Sequence, residues 1–217
     1  MNITEEIKIE DTALATVYLS ELYSLAFFIK KKCQSLFNNT KSENDGNYYI
    51  FAKPEIINDI SSILTDAANL KKLITSTSPQ KKGEKEINFK FRKARAAFLM
   101  SLLNDVGINE ILNVKIRNTL EHFEEYLDNA NIDITFNDGK GFDVAICNIA
   151  LSSRLAMQGN IYPLRFYIAD EKIYHNFEWQ VDIGLIHDEA CNIIEKLSTH
   201  QHLARSNEPQ SSIIRLK

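Results

Sequence analysis

The chain has 217 residues, 44% of them hydrophobic, enough for one large domain with a full core. A formal net charge of −4 and an isoelectric point of about 5.8 exclude a protein that coats nucleic acid by charge alone. Seven glycines and four prolines favour long helices over a turn-rich sandwich. Three widely spaced cysteines, Cys33, Cys147 and Cys191, argue against a disulfide framework and for a reducing, cytoplasmic location.

The opening MNITEEIKIED is acidic and lacks a signal-peptide pattern. Residues from Thr4 to Phe37 read as one helical block, with Leu14, Val17, Leu22, Leu25, Phe28 and Ile29 at helical spacing. Its apolar run LYSLAFFI is eight residues long. A membrane span needs about 20, so the run is a buried face and no membrane partner is expected. Lys30, Lys31 and Lys32 near its end suit the helix dipole and need no ligand. The polar stretch NNTKSENDGN is a loop. Pro54 then opens a helix over about 54–75, with Ile56, Ile60, Ile63, Leu64, Ala67, Leu70 and Ile74 on one face. TSTSPQKKGEKE is a second linker. A third helix runs from Asn88 to Asp105 and Gly107 breaks it. A fourth runs from about Asn109 to Asp128.

Beyond it the pattern changes. DITF, FDVAICNIALS and PLRFYIADEKIYHNFEW carry alternation with aromatic and β-branched residues, which predicts an antiparallel sheet of three or four strands. NDGKG and ADEK supply turns. A hairpin around Asp170 and Glu171 is expected to pack Phe166, Ile168, Ile173 and Trp179 against the helices. A last helix covers about Asp182 to Leu203. The expected architecture is mainly α: a helical bundle over 1–128, then a small C-terminal antiparallel sheet and a closing helix over 129–205. Together these form one compact domain over 1–205, with a disordered tail over 206–217.

The fourth helix carries the chemistry. On a wheel of about 100° per residue, Ile116, Leu120, Phe123 and Leu127 form an apolar stripe extended by Leu112. Asn118, Glu121, His122 and Glu125 lie on the opposite side, and Arg117 borders them. Asn118 and His122, four apart, stack on one face. Arg117-Asn118-Thr119-Leu120-Glu121-His122 resembles the signature of the HEPN superfamily: arginine, a polar residue, three more residues and histidine on a late helix of a bundle. Many such proteins are metal-independent ribonucleases of toxin–antitoxin and anti-phage systems; others are inactive binding domains. The resemblance covers roughly residues 1–128 and implies a helical bundle and a homodimer that joins two motifs. It also implies RNA as substrate and a protein partner such as an antitoxin.

These residue types suit RNA cleavage without a metal. An imidazole near neutrality moves protons to and from the ribose and leaving oxygens. A guanidinium fork fits two phosphate oxygens as charge develops there. His122 and Arg117 take these roles, and Asn118 orients His122 or binds a phosphate oxygen. One helix supplies one histidine, so acid–base chemistry on both sides asks for a second copy. The competing reading is a solvated helix face, with Arg117 and Glu121 as an ordinary i,i+4 pair and the protein a non-enzymatic interaction domain.

NFKFRKAR gathers Lys90, Arg92, Lys93 and Arg95 around Phe89 and Phe91, a candidate RNA-binding groove beside the motif helix or else a solvated face. His187, Cys191 and Glu195 recur every four residues, but no second ligand pair completes a metal site, and a partly buried histidine is the simpler reading. Cys147 in an apolar strand reads as inert core. No phosphate-loop, dinucleotide, serine-hydrolase or zinc-protease motif is present, so no cofactor or metal is expected.

Overall fold

The computed structural model describes residues 7–41, 47–76, 79–113, 115, 118, 121–137, 141–199 and 208–209. Five helices and five strands are described: α1 (Ala15–Asn39), β1 (Ile50–Phe51), α2 (Pro54–Ile74), α3 (Glu86–Leu102), α4 (Phe123–Phe136), β2 (Val144–Leu151), β3 (Ile161–Ile168), β4 (Ile173–Asn176), β5 (Trp179–Asp182) and α5 (Ile183–Ser198). The expected NDGKG turn and C-terminal tail fall largely outside the described residues.

α1 is the central helix. Leu22, Ala26, Ile29, Cys33 and Leu36 are fully buried at three- and four-residue spacing, and α1 packs on both α2 and α5. α2 starts on Pro54, whose fixed φ and missing N–H suit a first turn. It buries Ile56, Ile57, Ile60, Ile63, Leu64, Ala67, Leu70 and Ile74. α5 is capped by Asp182, whose Oδ1 accepts from the Leu185 N–H at 2.7 Å. No helix among the described residues is long and apolar enough to cross a membrane.

The sheet overturns the expected mainly helical class. It is five-stranded, in the order β1-β2-β3-β4-β5, and mixed rather than antiparallel. It is also not confined to the C-terminal region, because β1 brings Ile50 and Phe51 onto its edge against Leu151 and Ala150. The class is therefore mixed α/β. β2 and β3 run parallel, Val144 opposite Ile161 and Leu151 opposite Ile168. The connection over 152–160 must return along the whole of β2, about 26 Å at strand rise. Its nine residues, three of them in the 3-10 turn Arg154–Ala156, make that span without a crossover α-helix. Asn148, at φ 60°, sits where the register slips between Cys147 and Ile149. DITF is not a strand but the last turn of α4, closed by the Asn137 N–H on the Asp133 carbonyl.

The hairpin around Asp170 and Glu171 forms as expected, with β3 antiparallel to β4 over Arg165–Asn176 to Ile168–Ile173. Its facing reverses the expectation for Phe166, Ile168 and Ile173, while Trp179, opposite Asn176 and two residues before Val181, lies on the helix-facing side as expected. Ala150, Tyr167, Tyr174 and Val181 join the core with the helices. Phe166 and Ile168 lie on the other face, in a smaller cluster with Ile146 and Leu151 beneath Ala156 and Met157. Both faces of β3 are buried at its end, so alternation alone does not tell which side meets the helices.

Candidate functional site

The expected fourth helix does not run through the motif. Lys115 and Asn118 are helical, but the chain breaks at Glu121 and His122 before α4 starts. His122 is the residue before α4 and has left-handed backbone angles, φ 62° and ψ 24°. A left-handed residue turns the chain out of the helix axis, so the wheel restarts there. Phe123 and Leu127, placed on the core stripe, are exposed, and only Ala130 of α4 is buried. Asn118 and His122 thus do not form an i,i+4 pair of one helix. Asn118 is half-buried; Arg117 lies outside the described residues, as do Thr119 and Leu120. The His122 side chain is 52% exposed, and its Nδ1 lies 3.5 Å from Oε2 of Glu125, long for an ion pair. Its carbonyl accepts from the Tyr126 N–H and so begins α4.

The segment leading into the motif is held from below by two buried carboxylates. Glu189 of α5 is 2% exposed and accepts three backbone N–H groups, from Asn109 at 2.6 Å, Glu110 at 2.7 Å and Ile111 at 2.8 Å. Glu110 in turn accepts from the Asp182 N–H at 2.8 Å and from Lys115 Nζ at 2.7 Å. Lys115, two residues before Arg117, is thereby tied to β5 and α5. The sequence did carry a signal for Glu189: it stands on the apolar stripe of Ile186, Ala190 and Ile193, where a carboxylate must find donors.

The basic cluster of α3 divides. Arg92 is committed inside the protein: Nε and Nη2 bind Glu84 at 2.7 and 2.9 Å, and Nη1 donates to Ser76 Oγ at 2.6 Å. The guanidinium hydrogen bonds hold the Glu84 carboxyl down at about 2. Arg95 donates to the carbonyls of Leu73 and Lys72, capping the end of α2. Lys90 pairs with Glu86 at 2.8 Å, and Lys93 lies 5.5 Å from the Phe89 ring centre. Lys90 and Lys93 also line an open groove of about 800 Å³ with Lys8 and Glu10. Two of the four expected RNA contacts are thus occupied structurally and two border a groove.

Beside the motif, α4 and the sheet enclose a cleft of about 510 Å³. Phe123, next to His122, meets Phe177 edge to face at 5.7 Å, and Tyr126 stacks on the same ring at 5.7 Å. The Arg165 guanidinium lies 4.9 Å from the centre of the Phe123 ring, while its Nε donates to Asn148 Oδ1 at 2.7 Å. A guanidinium unforeseen in the sequence, that of Arg165, therefore lies against the ring of the residue that follows His122.

On α5, His187 Nδ1 lies 2.9 Å from Asp188 Oδ1 and its Nε2 lies 3.7 Å from Cys191 Sγ. The ring rests edge-on against Phe37. Burial raises the Cys191 thiol and pushes Cys33 up to about 12, so both stay protonated rather than nucleophilic. Glu195 is exposed, and Cys147 is exposed rather than core. Among the described residues no group of three or more His, Cys, Asp or Glu side chains is placed to hold a metal ion. No family model matches the chain, and no curated protein or solved structure is significantly similar to it.

Proposed function

We propose that the chain is a metal-independent endoribonuclease of the kind the HEPN resemblance implies, acting in the cytoplasm as a homodimer. The supporting observation is His122 itself: an exposed imidazole at a helix break, followed by Phe123, against whose ring the Arg165 guanidinium lies. His122 moves protons, and Arg117 supplies the phosphate-binding cation with Asn118 beside it. Of the basic groups of α3, Lys93 and the ion-paired Lys90 border the open groove, where an RNA backbone would meet them. The exposed apolar residues Phe123, Leu127 and Ile134 follow His122 along one face of α4. Pairing α4 with its copy would cover them and bring two histidines together.

The test is cleavage of bulk RNA by wild type and by Arg117→Ala, Asn118→Ala and His122→Ala, with chelator present and circular dichroism as the folding control. Loss of cleavage is expected in the Arg117 and His122 variants, and a smaller loss with Asn118→Ala. Equal activity in wild type and His122→Ala overturns the reading.

The same apolar face of α4 favours a second reading, a non-enzymatic interaction domain that binds a protein partner such as an antitoxin. Wild type that cleaves no RNA, together with a folded Ile134→Asp variant that loses self-association or partner binding, would put this reading ahead.

A further inference from the structure

The cleft beside α4 has a composition that neither reading uses. Its walls carry four rings, Tyr126, Phe142, Tyr162 and Phe177, and two carboxylates, Asp133 and Glu178. The rings are fixed in pairs: Tyr126 stacks on Phe177, and Phe142 stands edge-on to Tyr162 at 5.2 Å and 77°. Asp133 is fixed too, because Tyr162 Oη donates to its Oδ2 at 3.0 Å and Asn137 Nδ2 donates to Oδ1 at 3.2 Å. Burial and that carboxylate push the Tyr162 phenol up to about 12, so it remains the donor. No lysine, arginine or histidine is among the described residues that line the cleft. The adjoining Arg165 is engaged with Phe123 and Asn148. Of the α4 carboxylates Asp133 lines the cleft, and with Glu178 it makes the charged groups of the described lining all acidic.

Ring faces and carboxylates select the same ligand charge. Each face presents the negative part of the ring quadrupole, and the carboxylates add a net negative field. A phosphate or carboxylate ligand is repelled, and a neutral apolar one gains nothing from the charges. The volume admits a ligand of several heavy atoms, and Phe142, 40% exposed, stands at the open side.

We propose that this aromatic, acidic cleft binds an organic cation, an ammonium or guanidinium group seated against the rings of Tyr126, Phe142, Tyr162 and Phe177 with Asp133 and Glu178 supplying the countercharge. The cation comes either from a free small molecule or from a side chain of a partner protein; the site is independent of whether RNA is cleaved at His122. The experiment is titration calorimetry of the full chain at low salt with choline and its neutral isostere 3,3-dimethylbutanol. In parallel it uses the peptide acetyl-Gly-Arg-Gly-amide and the same peptide with citrulline in place of arginine. At least one cation is expected to bind about tenfold more tightly than its neutral counterpart. Tighter binding of the arginine peptide assigns the site to a partner side chain, and tighter binding of choline to a free ligand. Phe142→Ala, at an exposed ring, should weaken the cation about tenfold with circular dichroism unchanged. Glu178→Gln, at an exposed turn, should weaken it while leaving the neutral isostere unaffected. Should Asp133→Asn perturb folding through Tyr162, these two variants still decide the matter. Equal binding of cation and neutral partner, no binding of either cation at 10 mM (roughly the weakest useful affinity), or full affinity in Phe142→Ala overturns the proposal.

Discussion

His175 should make this protein lose stability in mild acid, and the size of the loss follows from where it sits. It lies on β4 and is 4% exposed, stacked flat on Phe166 with ring centres 4.5 Å apart and planes at 2°. Its Nε2 is 3.4 Å from Arg154 Nη2, and Arg154 is held by Glu171 through bonds of 2.6 and 3.0 Å. Burial first and the Arg154 charge second lower its pKa from 6.5 to about 4; Glu171 opposes them. The unfolded chain therefore takes up a proton near pH 6.5 that the folded chain refuses until about pH 4. Above pH 6.5 neither state is protonated and stability is full; as pH falls toward 4 it is lost, and below that the loss levels off. The whole difference corresponds to about 3 kcal/mol, and the part between pH 7 and pH 5 to about 2 kcal/mol. That window lies above the range in which most carboxylates titrate, so it sets the five histidines apart, and a His175 variant tells this imidazole from the other four.

Urea unfolding followed by circular dichroism at pH 7 and pH 5 measures this loss directly. His175→Gln removes the titrating group and should flatten the dependence, even if the variant is less stable throughout. Arg154→Gln removes the nearby positive charge while Glu171 stays, so it should shrink the loss without abolishing it. A wild-type difference below about 0.5 kcal/mol would refute the account, as would an equal pH slope in His175→Gln; either result would mean that the ring is protonated in the folded state or is not buried as described.

Three further outcomes test the segments around the candidate site. Glu189→Ala leaves three N–H groups, two of them buried, without their acceptor and should cost about 3 kcal/mol in chemical denaturation, whereas Glu189→Gln, which keeps one carbonyl oxygen, should cost less. His122→Gly should be more stable than His122→Ala by about 1 kcal/mol, because glycine takes the left-handed backbone freely; in a continuous helix the order would reverse. Arg92→Ala frees Glu84 and Ser76, so limited proteolysis should cut the linker between α2 and α3 faster, while any RNA affinity stays unchanged.

The parts of the fold legible in the sequence are those fixed by local pattern. Pro54 and a clean apolar face placed α2 to within a residue, and ADEK between alternating runs located the β3–β4 hairpin. Strand direction has no such local mark: β2 alternates alike beside a parallel or an antiparallel neighbour, and a two-residue β1 is too short to carry a pattern. Side-chain partners are equally invisible. Lys90, Arg92, Lys93 and Arg95 look alike as a charge run, yet Arg92 and Arg95 are satisfied by the protein's own oxygens. The break at His122 did leave a trace that was open to the wrong inference. Read as the end of a helix over 109–128, the acidic run EHFEEYLD only crowds the motif with negative charge, and carboxylates near a helix C-terminus oppose its dipole. At the start of a helix the same residues are favourable, because Glu124 and Glu125 then face the free N–H groups of the first turn of α4. Five acidic side chains from Glu121 to Asp133 with no lysine or arginine among them are thus better explained by a helix that begins after His122 than by one that passes through it. That same beginning holds the imidazole outside both helices and gives the adjoining cleft its negative wall.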